Sequence, residues 1–281
     1  MVQKYIEMMP DGSERPPPRP SAQGGGRIQW FCPRSFCTAA LLFLIAGPAL
    51  ASDAADTAPY GYSSDGRYFA FEEFGTQDGS GFPYSSIYVI DVEANAWVEG
   101  TPIRVLLEDE AATLGAAHTD AVTMAAPLLL KHKITELAFV LASTPATEVK
   151  DDRSTVTFDP FYRHMGGSVP QPTAEMWGPR YSLTAKSTAI KPTPEHCKDY
   201  GEAIMALTLT LTDLKTSKAD VVHNDSSIPK SRGCPTGYDI DKVVTPAMYS
   251  QTSRFVALIG VYSFGFEGRD RRTIAVPVSP Q

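Results

Sequence analysis

The chain has 281 residues, of which 43% are hydrophobic and 20% charged, with 21 Gly, 23 Pro, four Cys and a formal net charge of −7. A chain this apolar can bury a core, so disorder throughout is excluded. Its acidic balance repels phosphate backbones, and sequence-independent nucleic-acid binding is excluded with it.

Residues 1–33, with Pro16-Pro17-Pro18 and Gly24-Gly25-Gly26, carry no fold signal and read as a leader or a misplaced start. Arg34 then precedes the apolar run Phe36 to Ala46, which ends at Gly47-Pro48. Ala49-Leu50-Ala51 places small residues at −3 and −1 of a cleavage position between Ala51 and Ser52. Residues 34–51 therefore read as a secretory signal peptide. Its apolar run is about eleven residues, short of the roughly 20 that span a bilayer, and no later segment approaches that length. Cleavage leaves residues 52–281, expected to be a single mainly β domain, periplasmic or secreted, with no membrane span. That portion holds 20 Lys and Arg against 29 Asp and Glu, a net charge of about −9.

The first structured segment contains a repeat. Residues 62–71 (Tyr-Ser-Ser-Asp-Gly-Arg-Tyr-Phe-Ala-Phe) lie without a gap on residues 249–258 (Tyr-Ser-Gln-Thr-Ser-Arg-Phe-Val-Ala-Leu) at an offset of 187. In the same register Ser86 falls on Thr273, Ile87 on Ile274 and Val89 on Val276. Each copy reads as a turn, an apolar strand, a Gly-containing loop and a second alternating strand. Within the second strand Ile87, Val89 and Asp91 face one way and Tyr88 and Ile90 the other. A weaker echo of residues 87–94 occurs at 209–216.

Residues 62–71 followed by Ile87-Tyr88-Val89-Ile90-Asp91 resemble the blade motif of TolB-type β-propellers, and that resemblance implies hairpin units packed face to face. Over the whole exported portion the sequence resembles a bacterial family of predicted secreted proteins of unknown function, carried most strongly by residues 68–75 and 78–85. This second resemblance implies export and no established activity. The fold class expected is mainly β, a propeller-like or sandwich arrangement of antiparallel hairpin units with one helix.

That helix is expected over about 107–132. Glu108-Asp109-Glu110 stands at its start and Lys131-His132-Lys133 at its end, complementing the helix dipole, with a kink at Pro127. Further strands are expected near 134–142, 153–158, 181–189, 203–214, 254–264 and 271–278, separated by Pro-rich connections at 159–179 and 190–197. Phe158, Phe161, Tyr162, Trp177 and Tyr181 form the densest aromatic region; they either line a binding groove or cap the end of the β core. Cys197 and Cys234 are the two cysteines that survive export, and in an oxidising compartment one disulfide is the simplest outcome. A metal site that includes His196 or His223 lacks the short-spaced ligand pairs that zinc prefers.

The sequence contains no Gly-x-Ser-x-Gly elbow, no His-Glu-x-x-His, no phosphate-binding Gly-x-x-x-x-Gly-Lys and no dinucleotide-binding Gly-x-Gly-x-x-Gly. His118 and His132 are expected on the helix without an assigned role. Asp78-Gly79-Ser80-Gly81 reads as a tight turn, and Arg269-Asp270-Arg271-Arg272 as a solvated hairpin loop. Glu72 and Glu73 are neighbours on a strand and must face opposite ways. No catalytic residue, metal or cofactor is assigned. The function expected is a non-catalytic binding or interaction module of the cell envelope, with an envelope protein or a glycan as partner. The alternative is an envelope hydrolase acting on glycans through dispersed carboxylates such as Glu72 or Glu73.

Overall fold

The computed structural model describes residues 53–144, 153–159, 180–246, 255–265 and 268–278, which fall in the unit Pro48–Gln281. The leader, the signal region with its Ala51 and Ser52, and the aromatic residues Phe161, Tyr162 and Trp177 lie outside the described residues.

Fourteen strands build three antiparallel sheets among these residues. The N-terminal sheet comprises β1 (Asp56–Ser63), β2 (Tyr68–Thr76), β3 (Pro83–Asp91), β4 (Ala96–Trp97), β5 (Ile103–Leu106) and β6 (Ile134–Glu136). It is ordered β4-β3-β2-β1-β6, with β5 also on β3. The central sheet, ordered β14-β13-β12-β7, uses β7 (Ala138–Ser143), β12 (Pro235–Pro246), β13 (Phe255–Phe264) and β14 (Arg269–Val278). The outer sheet, ordered β11-β10-β9-β8, uses β8 (Thr155–Phe158), β9 (Tyr181–Ala189), β10 (Met205–Asp213) and β11 (Lys218–Asn224).

The burial pattern of each strand states where its sheet lies. On β10, Met-Ala-Leu-Thr-Leu-Thr-Leu-Thr-Asp, Leu207, Leu209 and Leu211 are buried and the threonines between them half-buried. One face is therefore packed and one wet. On β13, every residue from Phe255 to Val261 is buried. Phe255, Ala257, Ile259 and Val261 join the outer sheet's Leu183, Leu207 and Leu209 in one cluster. Val256 and Leu258 join Tyr62, Phe69, Phe71, Tyr88 and Ile90 of the N-terminal sheet in another. The central sheet is thus packed on both faces, and each fully buried Leu or Ile in these layers contributes about 2 kcal/mol.

Helix α1 (Leu114–Lys131) covers the other face of the N-terminal sheet, with Ala121 and Ala125 against Ile87. The small alanines allow a close approach to β3, which is buried along its whole length. The helix begins seven residues later than 107 because Thr113 is its N-cap, its side chain accepting from Ala116 N–H. Glu108, Asp109 and Glu110 precede the cap, and no acidic residue lies in the first turn. It continues past Pro127 to Lys131.

The repeat appears as geometry. Tyr68 pairs with Asp91 and Phe255 with Val278, so the β2–β3 and β13–β14 hairpins share one register at the offset of 187. The weaker echo also has a structural counterpart. Tyr181 pairs with Asp213, just as Tyr68 pairs with Asp91, and both Tyr-Asp pairs are closed the same way. Val92 N–H donates to Arg67 O, and Leu214 N–H to Arg180 O. Asp91 accepts from Glu93 and Ala94, and Asp213 from Lys215 and Thr216. Arg67 and Arg180 bind those same aspartates and cover the adjacent tyrosine rings. The β9–β10 connection, residues 190–204, is longer than the 77–82 loop, and the extra length carries Cys197. Each sheet is therefore built around one copy of the same hairpin.

The segment 269–272 is strand, not a solvated loop. Arg271 is buried and binds Asp239 at 3.1 Å and Asp241 at 3.4 Å. Gly260 makes room for it, since a Cβ there would lie 2.1 Å from Asp239 Oδ1 and 2.5 Å from Arg271 Nε. Lys242, Thr57, Arg153 and Tyr262 complete this network around the two aspartates.

Candidate functional site

Between the N-terminal and central sheets the apolar filling gives way to polar groups. The odd-numbered side chains of β2 face the central sheet: Phe69 and Phe71 fill the interior, and Glu73 continues the row. Glu72 points the opposite way, toward α1. There it accepts from Ser85 Oγ at 2.6 Å and meets His118 Nδ1 at 2.8 Å. The two glutamates serve different faces, as their adjacency requires.

Glu73 lies in a cleft of about 530 Å³. Tyr84, Ser86 and Tyr88 of β3 and Arg104 of β5 form one wall; Arg272, Thr273 and Ile274 of β14 form another. The third wall is Lys230 to Gly233. A second space of about 220 Å³ borders Trp97, Ser231, Arg232 and Ile274, residues shared with the first.

Local chemistry explains each placement. Asp91 caps the turn after β3, and Asn95 takes a left-handed φ of 49°, so the chain doubles back and sets Trp97 opposite Ile90. Trp97 is 40% exposed and packs edge-to-face with Tyr88, the ring centroids 5.7 Å apart. β5 lies on β3 with Arg104 opposite Ser86, which brings the guanidinium to the Tyr88 hydroxyl. The Lys230–Arg232 turn is held from two sides. Arg232 binds Asp225, and Cys234 is joined to Cys197 in a disulfide with a Cα separation of 5.6 Å. With both sulfurs in that bond, neither is a free thiolate for a metal, although His196 lies beside them.

β14 is the edge strand of its sheet. Arg271 exchanges backbone hydrogen bonds with the Asp53–Ala55 segment. At the next outward position the carboxylate of Glu73 takes the place of a neighbouring strand's carbonyl, accepting from Thr273 N–H at 2.6 Å. Burial pushes the Glu73 carboxyl up to about 7, against the pull of that N–H and of the Arg272 and Arg104 guanidinium groups. Arg272 lies 3.9 Å from Glu73 but is engaged by Asp53 at 2.6 Å and stacks over the Tyr84 ring. Burial also pushes the Tyr84 phenol above its ordinary range, and that of Tyr88 up to about 12. Both therefore stay protonated at neutral pH; the Tyr84 hydroxyl donates to Asp53 Oδ1 at 3.1 Å and accepts from Arg272, and the Tyr88 hydroxyl meets Arg104.

Of the aromatic residues considered from sequence, Phe158 and Tyr181 are buried against Phe255 at 5.4 and 5.9 Å, inside the contact between the outer and central sheets. Among the described residues, the aromatic groups that line the cleft are Tyr84, Tyr88 and Trp97. Sequence reasoning reached Glu73 and missed Trp97, Arg104, Lys230 and Arg272 as a group. The one available signal was the Asp91–Asn95 turn, which returns an aromatic residue to the sheet.

A hydrolase that uses paired carboxylates requires two carboxyl groups about 5–10 Å apart across the substrate. Among the described residues, Glu73 is the carboxylate that lines the larger cleft. No helix among them is long and apolar enough to cross a membrane. Comparison with curated proteins gives no match, nor does comparison with solved structures. The family model described as Predicted secreted protein (DUF2259) matches residues 70–279, and it spans both repeated hairpins, the disulfide and the cleft, so the chain belongs to that family of predicted secreted proteins.

Proposed function

We propose that the protein is an exported, non-catalytic binding module of the cell envelope, and that its cleft receives a saccharide. The cleft carries this reading. Its volume suits one or two sugar rings better than a flat protein contact, and it combines an exposed Trp ring with polar groups that include the Tyr88 hydroxyl. Sugar rings present apolar C–H faces to aromatic side chains and hydroxyls to polar ones, which is the division of labour found here. Among the described residues a single carboxylate lines the cleft, already covered by the Thr273 amide, which favours binding over hydrolysis.

In this reading residues 34–51 are a signal peptide removed between Ala51 and Ser52, and residues 52–281 are the working domain in the periplasm or outside the cell. Asp53 is engaged by Arg272. A mature end at Ser52 leaves that contact intact. The test is a tryptophan-fluorescence titration of the exported protein against a panel of envelope oligosaccharides. A saturable change that disappears in Trp97→Ala supports the assignment, and no response to any member of the panel refutes it.

A further inference from the structure

Two of the four cations in the cleft are already occupied and two are not. Arg232 is held by Asp225 and Arg272 by Asp53. Arg104, whose guanidinium reaches the Tyr88 hydroxyl, and Lys230 are exposed on separate walls and make no ion pair among the described residues. They are placed there by separate devices: β5 pairs with β3, and the Lys230 turn is bracketed by the Asp225 contact and the disulfide.

The rest of the cleft is compatible with negative charge. Glu73 is buried and hydrogen-bonded to the Thr273 amide. Its carboxyl, raised by burial to about 7, is largely uncharged in mildly acidic solution. Thr273, also buried and part of the lining, has a hydroxyl with no hydrogen-bond partner among the described residues. On a chain whose formal charge is −7, the general field opposes an anion. A locally positive cleft is therefore a selective feature within an acidic surface. The exposed Trp97 ring supplies what an inorganic anion would not use, a face for an apolar ring surface.

We infer that the ligand is an anionic saccharide, of the uronic-acid type, whose carboxylate is received between Arg104 and Lys230 while a ring packs on Trp97. This rests on the saccharide reading of the cleft and narrows it to one chemical class. The geometry assigns Arg104 and Lys230 to charge recognition and Trp97 to ring recognition, so the two contributions separate experimentally.

The test compares a galacturonate tetramer with a galactose tetramer of the same linkage, by calorimetric titration of the full exported protein at about 50 mM and about 300 mM salt. Acetate and inorganic phosphate are titrated alongside. The expected result is galacturonate bound about tenfold or more tightly than galactose, as a charge-assisted contact predicts. That preference shrinks at the higher salt. Arg104→Gln and Lys230→Gln each reduce galacturonate affinity several-fold and leave galactose affinity and the melting temperature unchanged. Trp97→Ala weakens both sugars. Equal binding of the two tetramers, unchanged by the Arg104 and Lys230 variants, overturns the anionic assignment and leaves the saccharide reading standing. Acetate or phosphate binding as tightly as galacturonate overturns the ring contribution, and failure of both tetramers to bind overturns both readings.

Discussion

Replacing Glu73 by Gln isolates the energetic consequence of placing a carboxyl group between two sheets. Gln keeps the shape and an oxygen that can accept from Thr273 N–H, so the pairing at the edge of β14 survives. What changes is the titration. The ordinary value for this group is 4.5, and in the folded protein burial raises it to about 7. Between those values the folded state binds more protons than the unfolded state, so stability falls as pH rises through this window and levels off above about 7. At about 1.4 kcal/mol per pH unit the full loss is about 3 kcal/mol, most of it between pH 5 and pH 8. Glu73→Gln has no such loss. Denaturant unfolding of wild type and variant at pH 5 and pH 8 reads the effect directly. The difference in unfolding free energy, variant minus wild type, is expected to become more positive by about 2 to 3 kcal/mol at pH 8. Other titrating groups are common to both proteins and cancel in this comparison. A difference that stays within a few tenths of a kcal/mol across the two pH values would refute the claim that burial dominates over the neighbouring guanidinium groups.

Other perturbations test the scaffold. Cys197→Ala with Cys234→Ala opens a loop of 37 residues and is expected to cost roughly 4 kcal/mol by loop entropy, read as a lower denaturation midpoint. Wild type in reductant should approach the same midpoint. Gly260→Ala forces a methyl group into the Asp239–Arg271 contact; overpacking predicts a loss of about 3 kcal/mol or more, and a stability within error of wild type would contradict the description of that contact. Leu183→Ala, fully buried between the outer and central sheets, is expected to cost about 2–5 kcal/mol in the same assay. Intact-mass analysis of protein collected after export should give a chain beginning at Ser52, and a mass that retains residues 34–51 would exclude cleavage there.

Much of the scaffold is written locally. The offset of 187 between residues 62–71 and 249–258 anticipated two hairpins that share strand length and pairing register, because strand alternation and the loop between the strands are encoded within about 25 residues. The alternating leucines and threonines of β10 and the continuous apolar run of β13 state which strands are packed on one face and which on two. The sequence alone also identified the cysteine pair, the general position of the helix and the opposed directions of Glu72 and Glu73. Its local patterns did not disclose β12, because Asp239, Asp241 and Lys242 interrupt the apolar pattern. That strand is stable only because Arg271 and Thr57, about thirty and about 180 residues away, satisfy its charges. Arg269-Asp270-Arg271-Arg272 reads in sequence as a solvated loop for the same reason: charged side chains look wet until their partners are known. The cleft depended most on tertiary structure. Glu73, Trp97, Arg104, Lys230 and Arg272 come from five separate segments, and nothing local to any one of them records the others. Hydrophobic periodicity is a short-range property that the chain carries everywhere. Convergence of charge and aromatic surface exists only after the sheets have stacked, so the sequence determined the hairpins and the packing of the sheets decided the site.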